Sequence, residues 1–219
     1  MDVEIWSDVV CPWCYIGKRR FERALADFPH RDGVTVTWRS FQLDPSAPVS
    51  TTGDPTDRLA ERYGMTRAQA DAAQARVTAM PAGEGLDFHL EYARSGNTFD
   101  AHRLIHYAAS VGKQDAMKER FMAAYFVEGE AVGERDVLTR VAATIGLDKA
   151  AVHDVLNSDA YDTEVRNDEL EARQPGLTGV PFFVIHRTTG ISGAQPPAPN
   201  PAARQPPCTA PHQPRRATA

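Results

Sequence analysis

Cys11 and Cys14, with Pro12 and Trp13 between them, are the residues from which chemistry can start: two thiols separated by two residues. That spacing lets a disulfide close across one helical turn. A dithiol becomes reactive when one thiol ionises near neutral pH. The free N–H groups and the dipole at a helix start favour a thiolate on Cys11. Pro12 fits such a first turn, where its missing N–H costs nothing. Cys11 is then expected to attack and Cys14 to resolve the mixed disulfide. Two plainer readings compete. A structural zinc site needs four ligands, and the chain has no second C-x-x-C or C-x-x-H, so no metal is assigned. Two inert buried cysteines would not need to sit where a strand becomes a helix. Trp13 brings no cation to the sulfurs, so the pair is expected to be less oxidising than one with a charged neighbour.

The elements that must position these thiols follow from periodicity. Val3 and Ile5 alternate with Glu4 and Trp6 as in a strand, and Ile16, Phe21, Leu25 and Phe28 then recur at about a helical period. Pro29 and the Arg31-Asp32-Gly33 turn end that helix. Val34, Val36 and Trp38 mark a second strand, with a bulge expected near Ser40 where the apolar phase shifts. A right-handed crossover makes the two strands parallel. From about 54 to 173 the signals are helical: Asp54-Pro55 as cap and first residue, Thr66 with Gln69 as a capping box, and Thr98 as a further cap. Gly112, Gly129, Gly133, Gly146 and Gly176 mark stops, which together predict five or more short helices. Gly179-Val180-Pro181 then leads into Phe182-Phe183-Val184-Ile185, apolar on consecutive residues and so expected to be buried on both faces. Residues 186–190 read as a turn and 191–193 as a short last strand. A cis proline at Pro181 would present the backbone of Val180 to an extended substrate, whereas a trans proline would merely open a strand.

Composition sets the limits. The chain has 219 residues, 42% hydrophobic and 24% charged, with a formal net charge of -5. A packed core is expected, and a mildly acidic chain is a poor partner for nucleic acid. No apolar run is long enough to cross a bilayer, so no membrane is expected. The N-terminus lacks the basic-then-apolar order of a secretory signal, which points to the cytoplasm. Three cysteines are too few for a disulfide scaffold. Residues 196–219 break the pattern: eight of these 24 residues are proline, and none is a large apolar residue or an acid. Such a segment is expected to be disordered, with Cys208 a bystander thiol within it.

At this point a family likeness becomes visible. The run Val-Glu-Ile-Trp-Ser-Asp-Val-Val-Cys-Pro-Trp-Cys-Tyr-Ile-Gly at 3–17 resembles the opening of the FrnE-like branch of the DsbA oxidoreductases. Gly96-Asn97-Thr98-Phe99-Asp100-Ala101-His102-Arg103 resembles its helical-lobe signature. Thr178-Gly179-Val180-Pro181-Phe182-Phe183 resembles its cis-proline loop, and Ser192-Gly193-Ala194-Gln195 the turn that follows. The likeness implies an α/β thioredoxin-like fold with an all-helical inserted lobe, with 1–50 and 174–195 forming the split thioredoxin-like domain and 51–173 the insertion. It also implies dithiol–disulfide exchange or isomerisation, with Cys11 and Cys14 catalytic. Pro12, Trp13, Val180 and Pro181 are expected to border the substrate, and Asn97 and His102, near one helix start, are expected to touch it.

Two departures stand out. The chain has His186-Arg187-Thr188-Thr189 where relatives have an Asp-Gly turn, and a proline-rich tail where they have an amphipathic helix on the sheet. Loss of that cover would cost several kcal/mol at ~25 cal/mol per Å², so lower stability or a homodimer is expected. Asp8, three residues before Cys11, can relay a proton to Cys14 or raise a thiol pKa, though a solvated or backbone-bonded carboxylate is the plainer reading. Substrates are expected to be protein or small-molecule disulfides. No bound cofactor is needed beyond the redox-active disulfide, with glutathione as a candidate co-substrate. The rival activity is that of a glutathione-dependent small-molecule isomerase or transferase, as in the kappa-class transferases and 2-hydroxychromene-2-carboxylate isomerases. Retention of Cys14 tells against it. A non-catalytic binding or chaperone role for the lobe is the second rival.

Overall fold

Strand β1 (Asp2–Ser7) runs through the middle of the molecule, which explains why it is buried from Val3 to Ser7. In this computed structural model, which describes residues 1–173, 177 and 179–196, β1 pairs in parallel with β2 (Thr35–Ser40) and antiparallel with β3 (Phe182–Ile185). β3 pairs antiparallel with β4 (Thr189–Ser192), so the sheet order is β2-β1-β3-β4. The alternation in β1 sorts its two faces. Val3 and Ile5 join Trp38 and Phe183 in a small apolar cluster, backed by Phe21. On the other face Glu4 accepts hydrogen bonds from Arg39 and Arg187, and the Trp6 indole N–H donates to the Asp168 carbonyl at 2.9 Å.

Helix α1 (Pro12–Ala26) joins β1 to β2. Among the described residues, seven α-helices lie between β2 and β3: α2 (Pro55–Tyr63), α3 (Arg67–Ala79), α4 (Phe99–Ser110), α5 (Gln114–Phe126), α6 (Arg135–Thr144), α7 (Lys149–Leu156) and α8 (Asp162–Arg173). Local chemistry starts several of them. The Asp54 carboxylate accepts the Thr56 N–H, and Thr66 and Gln69 close a reciprocal capping box. A β-α-β unit, a helical insertion and an antiparallel hairpin make up the thioredoxin-like α/β fold that the resemblance implied.

Several sequence expectations need correction. No bulge interrupts β2. The strand simply ends at Ser40, whose N–H donates to the Asp168 carboxylate at 2.8 Å, so tertiary hydrogen bonding replaces the ladder there. Thr98 occupies the cap position of α4, but its side chain makes no cap bond; the Asn97 side-chain amide oxygen accepts the Phe99 N–H at 2.9 Å instead. β3 is not buried on both faces. Only Phe183 is buried, and Ile185 borders an open apolar depression shared with Val3, Phe21, Ile191 and Pro196. The final turn is shorter than expected. His186 and Arg187 both adopt positive φ, at 50° and 56°, and the Thr188 N–H closes onto the Ile185 carbonyl at 3.0 Å. The Gly176 stop, Cys208 and all of the tail beyond Pro196 lie outside the described residues.

Candidate active site

The dithiol sits where β1 hands over to α1. Cys11 is the N-cap of α1, with extended backbone (φ -92°, ψ 114°) and Pro12 at the first helical position. Its carbonyl accepts the N–H groups of Cys14 at 3.0 Å and Tyr15 at 3.3 Å, which sets the first turn and draws the two side chains together. Both cysteines are free thiols and almost fully buried. Trp13, between them, is 40% exposed, so the rim of the site rather than its floor carries the indole.

The second wall is the Val180–Pro181 segment, whose peptide bond is cis. The Cys11 sulfur lies 3.6 Å from the Val180 carbonyl oxygen, to which its S–H donates. The Pro181 carbonyl accepts the Gly193 N–H at 2.8 Å, and Arg20 on α1 holds the Ala194 carbonyl, so helix, proline loop and final turn are tied to one another. Gly17 permits this approach: a Cβ there would come within 2.8 Å of Pro181 Cγ.

Below the sulfurs lies a floor of buried polar groups. Asp8 is completely buried; one carboxylate oxygen accepts the Leu43 N–H at 2.8 Å and the other lies 3.4 Å from His102 Nε2. Burial pushes the Asp8 carboxyl up, but the His102 hydrogen bond and charge and the Leu43 N–H outweigh it, and the net displacement is downward. Burial pushes the His102 imidazole down, against the upward pull of the Asp8 carboxylate. Lys118, from α5, is also completely buried, and its ammonium donates to the Ser7 carbonyl at 2.8 Å. Burial pulls its pKa down to about 8.

The two thiols do not share their protons equally. The hydrogen bond to Cys14, burial and the charge of that neighbour drive Cys11 well above the ordinary thiol value. Burial acts against a thiolate on Cys14 too, but the Cys11 hydrogen bond, the Lys118 charge and the Ser7 hydroxyl overcome it and move Cys14 down. One proton is shared between the two sulfurs, and the charge on either raises the thiol of the other. The ionisation steps belong to the pair, and one proton hop turns Cys11 into the nucleophile.

The remaining sequence candidates are placed elsewhere. His102 is 1% exposed and lies beneath the pair, so it has no surface to offer a substrate. Asn97 caps α4 and donates to the Pro45 and Ala47 carbonyls at 3.0 and 3.3 Å, which commits its amide to holding the 45–47 loop. Asp8 is backbone-bonded as in the plainer reading, but shielded from solvent. Sequence reasoning passed over Lys118 altogether. A signal was available: Phe121, Met122 and Tyr125 stand three, four and seven residues further on, so the lysine occupies an apolar stripe. Among the described residues, no group of three or more His, Cys, Asp or Glu side chains gathers in a metal-ligating arrangement.

With this geometry in view, comparison with known proteins is specific. The model of the DSBA-like thioredoxin domain family matches residues 2–199, and the chain belongs to that family. The structure is similar to that of a probable DsbA oxidoreductase from Streptomyces coelicolor, with 47% identity, a TM-score of 0.85, and coverage of 90% of this chain and 85% of that one. It shares its fold with a 2-hydroxychromene-2-carboxylate isomerase at 16% identity and a TM-score of 0.65, over 89% of each chain. It likewise shares its fold with the cytosolic disulfide reductase DsbM of Pseudomonas aeruginosa, at 19% identity and a TM-score of 0.63, over 88% of this chain and 89% of that one. The family comprises oxidoreductases and isomerases. Among the described residues, no helix is long and apolar enough to cross a membrane.

Proposed function

We propose that the protein exchanges disulfides through Cys11 and Cys14, acting on protein or small-molecule disulfides. The observation that carries this reading is the pairing of two free thiols at the start of α1 with a backbone carbonyl 3.6 Å from the Cys11 sulfur, in the residue before Pro181. With the proton of the reduced pair on Cys14, the Cys11 thiolate attacks one sulfur of the substrate disulfide. A Cys11–substrate disulfide forms, and the other substrate half leaves as a thiolate. Cys14 then gives up its proton and attacks the Cys11 sulfur. The bond to substrate breaks, an internal disulfide forms, and the second half departs with the proton as a thiol. Two electrons have moved from the pair to the substrate.

No bound cofactor enters these steps. Glutathione is assigned as the co-substrate that returns the pair to its reduced form; a glutathione-bound structure of the Pseudomonas reductase supports this choice. The cytoplasm is assigned as the compartment by analogy with that cytosolic protein. The rival isomerase reading needs one activated group and no resolving thiol. Insulin reduction by wild type, Cys11→Ser and Cys14→Ser separates the two. Exchange requires that Cys11→Ser is inactive and that Cys14→Ser accumulates a mixed disulfide without turnover. Full turnover by Cys14→Ser refutes the proposal.

A further inference from the structure

Gly17, Arg20, Phe21 and Ala24 of α1 all face the apolar depression beside the β3–β4 hairpin, as residues three and four apart on a helix must. Arg20 is the charged member of that stripe, and its guanidinium is used at both ends. Nε donates to one Glu84 carboxylate oxygen at 2.7 Å, and a terminal nitrogen donates to the Ala194 carbonyl. The other Glu84 oxygen accepts from Arg23, so two residues of α1 hold one carboxylate. Glu84 has little freedom of its own. Its side chain is 8% exposed, and it ends a 3-10 turn, Met80–Glu84, that Gly85 closes in the left-handed region at φ 74°. Four residues on, Phe88 stacks on Tyr15 of α1 with ring centroids 5.8 Å apart, so lobe and helix meet at a second point. A bridge from helix to lobe would be complete with Glu84 alone. The Ala194 carbonyl is a further acceptor, and a planar guanidinium fixed along one edge aims its other end in one direction.

That direction leads back to the sulfurs. Gly193, in the left-handed region at φ 77°, donates its N–H to the Pro181 carbonyl at 2.8 Å, while the next residue gives its carbonyl to Arg20. Pro181 follows Val180, whose carbonyl oxygen lies 3.6 Å from the Cys11 sulfur. The path thus starts and ends on α1, running from Arg20 through Ala194, Gly193, Pro181 and Val180 to Cys11. We propose that Arg20, aimed by Glu84 of the helical lobe, is the positioning residue that fixes the Val180–Pro181 segment beside the sulfurs, a role that rests on the dithiol-exchange reading above. A polypeptide disulfide needs that segment to align its backbone before Cys11 attacks, whereas a small disulfide reaches the sulfur without it. The clamp therefore acts on the binding of polypeptide substrates rather than on the ionisation of the thiols.

The test compares the full-length wild type with Arg20→Lys and Glu84→Met. Lysine keeps the charge but offers a single point of contact, so it cannot serve Glu84 and Ala194 together. Methionine fills much of the glutamate's volume without an acceptor. Hydrogen exchange of the Gly193 amide reads the loop without any turnover. It is expected to quicken about tenfold in both variants, the size of one lost charge-assisted hydrogen bond, while the Ile5 amide of β1 keeps its wild-type rate. Insulin reduction is expected to lose about tenfold in kcat/KM, mainly through KM, relative to reduction of a small aromatic disulfide by the same preparation. A Gly193 amide that exchanges at the wild-type rate, or equal slowing of both substrates, overturns the proposal. If neither variant folds, isotope-labelled wild type takes their place. The Arg20 guanidinium protons are then expected to exchange slowly and to show a nuclear Overhauser contact to Ala194, and rapid averaging of those protons overturns the proposal. Absence of insulin reduction by the wild type would reject the exchange reading and leave the Gly193 amide to decide the clamp.

Discussion

Gly17→Ala sets two effects of known size against each other. Gly17 is buried in the second turn of α1, and alanine at an unhindered helical site would add about 1 kcal/mol of stability. Here the added Cβ would meet Pro181 Cγ at 2.8 Å, with Pro181 Cβ at 3.5 Å and Ala194 Cβ at 3.6 Å close behind. Carbon atoms rest at about 3.5–4.0 Å, so the proline ring must retreat by roughly 0.7 Å or more. It has little freedom to do so, because the Pro181 carbonyl is bonded to Gly193 and Arg20 holds Ala194. Overpacking of this kind costs about 1–3 kcal/mol, so the net change is a loss of about 0–2 kcal/mol. The larger consequence is catalytic. The Val180 carbonyl moves with Pro181, away from its place 3.6 Å from the Cys11 sulfur. Misplacement by 1 Å can cost about a hundredfold in rate, so the smaller shift should cost about tenfold. Insulin reduction and a thermal melt of the same preparations measure both effects. Gly33→Ala is the control, since a Cβ there meets nothing within 4 Å. A Gly17→Ala protein that melts higher and reduces insulin at the wild-type rate would show that this contact does not position the loop.

Two further outcomes follow from the buried charges. The Asp8 charge raises the Cys11 thiol, so Asp8→Asn should speed alkylation of the pair at pH 7 by several-fold, up to about tenfold for each unit of pKa; a slower reaction would assign Asp8 a proton-accepting role instead. Asp168 accepts from the Ser40 N–H and from Arg39 at 2.8 and 2.9 Å and contacts His106 at 3.0 Å, so Asp168→Asn should cost about 3–5 kcal/mol at pH 7. Burial raises the Asp168 carboxyl, but His106, Ser40 and Arg39 bring it below the ordinary 3.8, so its contribution is full above that value and is lost as pH falls through the folded one. Melting temperatures of the two proteins should accordingly converge toward pH 3, and a constant gap would contradict the assignment.

What was legible in the sequence was what depends on near neighbours. The Cys11–Cys14 spacing, the Asp54 cap and the Thr66–Gln69 box are local, and the structure forms them as the residues dictate. The parallel pairing of β1 with β2 was legible because a right-handed crossover leaves little choice. The misreadings arose where a distant residue decided. Asp168, on the last helix, ends β2 at Ser40. The 45–47 loop recruits the Asn97 amide, so Asn97 both caps α4 and holds a loop instead of meeting substrate. His102 and His106 do lie one turn apart, but α4 turns the first toward Asp8 and the second toward Ser40 and Asp168.

The division of the apolar core gives the helical insertion a part in the chemistry. Val3, Ile5, Trp38 and Phe183 form a cluster of their own within the sheet. Cys11, Cys14, Val9 and Tyr15 belong instead to the cluster built by the lobe, with Phe88, Phe121, Met122 and Phe126 around them. The sheet and α1 thus fix where the sulfurs are, and the lobe fixes the medium in which they ionise. A unit charge 4 Å away is worth about 1 kcal/mol in water and about 4 kcal/mol at an effective dielectric constant near 20. Charges around the pair therefore act strongly on the sulfurs only because the lobe excludes water from them. Changes on α5 that touch neither cysteine, but let water reach the pair, should weaken those charges' influence through the medium alone.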